Sequence, residues 1–155
     1  MKKFNSIKFL TIIIINFFIF SNSYSQIENK IIVKVGDSLV TSIDLQNDIL
    51  TTLVINKQEI NQTNIDKVKD FSLKNLISKA IKRSEIKKYA TKDFNSKDLK
   101  DYIKNISKNL NTNQAGLKEI FKQNSIDYQT FEESYKIELL WNTLIFSIYK
   151  NQINV

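Results

Sequence analysis

Asp127–Lys150, DYQTFEESYKIELLWNTLIFSIYK, is the stretch whose reading decides the fold. No Gly or Pro interrupts it, and nothing in it ends a helix before Lys150. Asp127 is placed to cap it, its carboxylate accepting from the amide of Thr130. Wrapped at 100° per residue, the stretch carries two apolar stripes rather than one. The broad stripe is Ile137, Leu140, Trp141, Leu144, Ile145 and Ile148. Opposite lie Tyr128, Tyr135, Leu139 and Phe146, flanked by Phe131 and Tyr149. A surface helix needs one apolar face to fold. A helix with two is either covered twice, leaning on one neighbour early and another late, or covered once and left to bind something. The second alternative makes Tyr128, Phe131, Tyr135, Leu139, Phe146 and Tyr149 the candidate binding residues.

The preceding chain supplies the neighbours. IIVKV (Ile31–Val35), Gly36-Asp37 and SLVT (Ser38–Thr41) read as a small β-hairpin. Such a hairpin is marginal in water unless helices pack on it. Thr41-Ser42-Ile43-Asp44 is a variant capping box that opens a helix with Leu45, Ile49 and Leu53 on one face and Leu50 and Val54 beside it. After a polar loop over Gln58–Asn64, a longer helix spans about Ile65–Ala90 and buries Val68, Leu73, Leu76, Ile77, Ala80 and Ile81. Ser96 is read as the cap of the next helix, whose apolar stripe is Leu99, Tyr102, Ile103, Ile106 and Leu110. Thr112 is read as the cap of a short helix carrying Leu117, Ile120 and Phe121. The fold class is therefore mainly α: about five helices behind a small N-terminal β-hairpin, with no internal repeat.

Composition narrows the function classes. The 155 residues, 42% apolar and 25% charged, make one ordinary domain. Two glycines and no proline argue against sandwiches and barrels, and rule out Gly-rich phosphate loops. The absence of Cys removes disulfides and thiol chemistry, and the absence of His removes the commonest metal ligand and general base. Carboxylate pairs such as Glu132/Glu133 and Asp98/Asp101 lie near lysines on exposed helix faces, where they balance charge. The expectation is a protein that is not an enzyme and carries no metal or cofactor. The densest basic cluster, Lys79, Lys82, Arg83, Lys87 and Lys88, has only Tyr89 beside it, so a solvated surface is expected rather than a nucleic-acid site.

Residues 1–25 read as a secretory signal peptide. MKKFNSIK is a basic start, and the 12-residue run Phe9–Phe20 is broken only by Thr11 and Asn16. That run is shorter than the roughly 20 residues of a membrane span. Ser23 and Ser25 supply small residues for cleavage after Ser25; an uncleaved inner-membrane anchor is the alternative. Removing Lys2, Lys3 and Lys8 with the leader lowers the formal charge from +7 to +4. Residues 26–155 then form a single domain in the periplasm, with no stable membrane span after cleavage.

The hairpin IIVKVGDSLVT, the helix starts TSIDL, NSKDL and TNQAGL, and the closing IDYQTFEESYKIELL together resemble the N-terminal domain of the SurA family of periplasmic chaperones, related to the PpiD-like and trigger-factor-like chaperones. The resemblance spans nearly all of Lys30–Lys150 and includes no catalytic motif. It implies a chaperone that holds unfolded outer-membrane polypeptides by apolar and aromatic contacts. Members of that family continue into parvulin-type isomerase domains, and this sequence has no His or Cys to supply parvulin's side chains of those types. The implied activity is therefore holdase-like, without isomerisation. The lack of the C-terminal segment that completes such chaperones implies self-association or a separate envelope partner. A different class, an adaptor whose second stripe docks permanently on one folded envelope partner, fits the same helix.

Overall fold

The computed structural model describes residues 29–150; the leader read over residues 1–25 lies outside them. Two strands, β1 (Ile31–Val35) and β2 (Ser38–Thr41), pair antiparallel with Val33 opposite Val40 and Val35 opposite Ser38. Gly36, at φ +56°, is the first of the two turn residues, and Asp37 does not share its positive φ. That is the requirement of a type II′ turn, which glycine meets without a steric penalty. The hairpin runs directly into α1 (Ser42–Ile55). Thr41 and Asp44 form the reciprocal box, the Asp44 amide donating to Thr41 Oγ1 at 3.2 Å and the Thr41 amide to Asp44 Oδ2 at 2.8 Å. The Ser42 amide donates back to the Lys30 carbonyl at 2.8 Å, which ties the strand to the helix.

Four helices follow: α2 (Gln62–Lys88), α3 (Ser96–Asn109), α4 (Gln114–Gln123) and α5 (Tyr128–Tyr149). Mainly helical with one small hairpin, this is the fold class expected. Several ends differ by one to three residues. The side chains of Asn61, Asn95 and Asn113 accept from Asn64, Lys97 and Gly116, so these asparagines are the caps of α2, α3 and α4. Ser96 is thus the first helical residue of α3, and Thr112 precedes the cap of α4. Asparagine caps at least as well as serine or threonine, so a neighbouring hydroxyl residue does not win. The Thr112 side chain lies instead against Gly116, where an added Cβ would meet its Oγ1.

The C-termini of α1 to α4 share one device. Lys57, Ala90, Asn111 and Ser125 all take left-handed φ values between 52° and 57°. After each, the next amide reaches back to the helix: Gln58 to Leu53, Thr91 to Ile86, Thr112 to Ser107 and Ile126 to Phe121. These are Schellman closures, normally built on glycine. Here none of the four is glycine.

Three apolar clusters hold the helices. Leu50, Leu99, Ile103, Leu117, Phe121, Ile126 and Phe131 join α1, α3, α4 and α5. Leu45, Ile49 and Leu53 pack with Ile65, Val68, Leu73 and Leu76 between α1 and α2. Ile86, Ile137 and Leu144 join α2 to the later half of α5. Leu45, Ile49 and Leu53 share a face as expected, and the structure adds that Leu50 and Val54 beside them serve a different cluster. In α2 the expectation needs correcting. Ile81 is 48% exposed, whereas Ile86 and Ser72 are buried. α2 meets α1 first and α5 later, so its inward face turns along its length and one periodic stripe does not describe it.

A left-handed residue other than glycine costs about 1–2 kcal/mol, part of which glycine returns by loosening the unfolded chain. Lys57→Gly and Ala90→Gly are each expected to stabilise the protein by about 0.5–1 kcal/mol, read from urea midpoints.

Candidate functional site

The site is built on α5. Asp127 caps it as expected, the Thr130 amide donating to Asp127 Oδ1 at 2.6 Å. The Asp127 amide itself donates to Asn47 Oδ1 of α1 at 2.7 Å, which fixes where the helix starts. From there the six candidate binding residues part company. Phe131 is only 5% exposed and meets Phe121 edge-on at 5.0 Å; it is core and offers no surface to a ligand. Tyr128 is half-buried, its ring 5.8 Å from Phe131 and its hydroxyl accepting from Gln114 Nε2. Tyr135 stacks face to face on Tyr102 of α3 at 3.5 Å, and Leu139 packs on the same cluster. Phe146 and Tyr149 are different: they are 66% and 47% exposed.

The two stripes are therefore used in sequence. In the first half of α5 the aromatic stripe packs on α3 and α4, and in the second half Ile137, Leu140, Trp141 and Leu144 pack on Ile86 of α2. Beyond that, no residue from Phe146 to Lys150 is covered. Lys82 pairs with Glu138, and Ile86 packs beside Leu144, so α2 and α5 run in the same direction and end at the same end of the molecule. Phe146, Ile148 and Tyr149 on one tip and Tyr89 on the other are all exposed. Ile148 belongs to the broad stripe, so it is open on the other side of the tip from Phe146.

The basic cluster of α2 is not a uniformly solvated surface. Lys79 forms a 3.0 Å ion pair with Asp48 of α1, with both side chains mostly covered, and Asn75 donates to the same carboxylate at 3.1 Å. This network lies in a cleft of about 310 Å³ among α1, α2, α3 and α5, with Tyr102, Phe131 and Tyr135 in its wall. Phe71, which the sequence reading did not single out, borders the cleft and is 62% exposed. Its signal is a lone aromatic among the charged residues of KVKDFSLKN. The Thr51 hydroxyl, also in the lining, is buried and has no hydrogen-bond partner among the described residues. Lys79 and Asn75 both reach the Asp48 carboxylate, which ties α1 to α2. Among the described residues no group of three or more Asp and Glu is placed to hold a metal ion. No described helix is long and apolar enough to cross a membrane.

Burial raises the pKa of the Tyr102 phenol above its ordinary 10.0, with Tyr135 a second cause. Burial also raises that of Tyr128, against the lowering effect of the Gln114 hydrogen bond and with a further contribution from Glu132. No family model matches the chain, and neither a curated protein nor a solved structure does.

Two outcomes follow from this geometry. Asp48→Ala leaves the Lys79 ammonium mostly covered without its partner and is expected to cost about 3 kcal/mol, whereas replacing both by apolar residues of similar size costs far less. A double-mutant cycle in urea checks this. In the unfolded chain the Tyr102 phenol ionises at its ordinary value, before the folded form does. The stability linked to it is therefore full below pH 10 and is lost as pH rises through and above 10. Tyr102→Phe is expected to make the alkaline loss shallower between pH 9 and 11, measured by denaturant midpoints.

Proposed function

We propose that the protein is an exported, chaperone-like module that holds unfolded outer-membrane polypeptides on the apolar end of α5, without isomerase activity. The observation that carries this reading is the uncovered pair Phe146 and Tyr149, three residues apart on one side of the helix tip and 66% and 47% exposed, with Ile148, 38% exposed, open on the other side. Monomeric proteins seldom leave an apolar patch open without a use for it. The SurA resemblance and the signal-peptide reading of residues 1–25 supply the substrate class and the compartment. The candidate surface is narrower than the sequence alone suggested. Phe146 and Tyr149 remain, Ile148 joins them, Tyr128, Tyr135 and Leu139 are half-covered flanks, and Phe131 drops out.

Magnitudes favour transient holding over permanent docking. Fully burying one large apolar side chain contributes about 1.5–3 kcal/mol. Covering what remains exposed of these three contributes roughly 3–4 kcal/mol, a dissociation constant near the millimolar range. Contacts of that strength suit rapid, sequence-tolerant capture at many points along an unfolded chain. A permanent interface with one folded partner needs well over about 1,000 Å² of buried surface.

Near-stoichiometric protein is expected to delay aggregation of several unrelated denatured substrates, a diluted outer-membrane β-barrel among them, as followed by light scattering. Phe146→Ser/Tyr149→Ser changes only exposed positions, so helicity is kept while the delay shortens several-fold. A wild-type protein that leaves aggregation unchanged, or a double variant that protects equally well, overturns the proposal. Retention of one folded envelope partner, with no effect on denatured chains, establishes the adaptor instead.

A further inference from the structure

The wall of the cleft among α1, α2, α3 and α5 holds a contact whose chemistry does not depend on the holdase reading. Tyr102 of α3 and Tyr135 of α5 lie face to face, their ring centres 3.5 Å apart and their planes within 5° of parallel. Aromatic pairs ordinarily offset their rings or meet edge to face, with centres about 4.5–7 Å apart. This pair is closer and squarer, and Tyr102 makes a second, looser stack on Phe131 at 5.8 Å. Of the ring contacts among the described residues, it alone joins two tyrosines. Tyr128 meets only Phe121 and Phe131, and Tyr89 and Tyr149 stand exposed at the helix ends. Both stacked rings are half-buried and line the cleft of about 310 Å³, so small solutes reach them. Two hexagons stacked so squarely bring an ortho carbon of one over or beside an ortho carbon of the other, whatever the rotation of each in its plane.

We propose that Tyr102 and Tyr135 form an oxidative cross-linking site, at which one-electron oxidation joins α3 to α5 through a carbon–carbon bond between the two rings. Each phenol gives up one electron and its hydroxyl proton and becomes a phenoxyl radical. The unpaired electron has density on the ortho carbons, in orbitals perpendicular to the ring. In a stacked pair those orbitals point at each other. The two unpaired electrons become the new bond. Each joined carbon then passes its hydrogen, as a proton, to solvent while a proton returns to each oxygen, which restores two phenols. The net loss is two electrons and two protons. Hydrogen peroxide, acting through a haem peroxidase, takes up both as it becomes two waters. The bond closes a covalent loop from residue 102 to residue 135 and fastens the cleft wall.

The test photolyses the dilute purified protein with tris(bipyridyl)ruthenium(II) and persulfate, which takes up the two electrons as two sulfates. The expected product is a monomer with the blue fluorescence of bityrosine that runs ahead of untreated protein on a denaturing gel. Trypsin, cutting after lysine, is expected to release residues 101–104 joined to residues 123–136, lighter than their sum by the two hydrogens lost. The second peptide carries Tyr128 as well as Tyr135, so variants assign the bond. Y102F and Y135F, each checked for wild-type helicity by circular dichroism, are expected to lose the product, whereas Y128F and Y89F/Y149F keep it. Unfolding the wild-type protein in urea before photolysis is expected to lower the yield several-fold, because the stack is then gone. An equal yield from unfolded protein, a bond that maps to Tyr128, or links formed only between molecules overturns the proposal.

Discussion

Asp127 holds the start of the last helix from two sides. Its carboxylate accepts from the Thr130 amide, and its own amide donates to Asn47, a buried polar residue of α1. That fixes both the place at which α5 begins and its rotation about its axis. With the rotation set, Phe131, Tyr135 and Leu139 fall on the cluster shared with α3 and α4, and Ile137 and Leu144 fall on α2. A helix that changes neighbours halfway needs two apolar stripes for that reason alone. What its neighbours do not reach is the last turn, where Phe146, Ile148 and Tyr149 stand.

The connections between helices are built without the residues that usually mark them. Asparagine caps three helix starts, and lysine, alanine, asparagine and serine take the left-handed closures. Each closure accepts strain in exchange for pairing the terminal carbonyls and turning the chain tightly. At Ile126 the gain is visible. Its amide returns to Phe121, and its side chain enters the same cluster as Phe121. Backbone pairing and apolar burial there reinforce each other, and the turn delivers the chain straight to Asp127. The polar contacts between helices act alongside this. Asp48, Asn75 and Lys79 join α1 to α2, and Lys82 with Glu138 joins α2 to α5. What reads as a block of lysines in sequence is partly a set of interhelical ties.

The surface left over from this packing is the end of α5, where Phe146 and Tyr149 stand exposed on one side and Ile148 on the other.

The sequence by itself determined the hairpin, the number and order of helices, the box at Thr41 and Asp44 and the Asp127 cap. Each of these follows from periodicity or from hydrogen bonds among residues within four positions of one another. It also determined that the last helix has two apolar stripes. Only the tertiary structure decided which parts of those stripes are covered. Phe131 and Phe146 are both phenylalanines on the same side of one helix, and one is core while the other is open. The difference lies in whether α3 and α4 extend far enough to meet them, which is set by contacts between residues distant along the chain. For the same reason Ile86 was missed and Ile81 over-read on α2: burial belongs to the pair of helices, and one helix's pattern records only half of it.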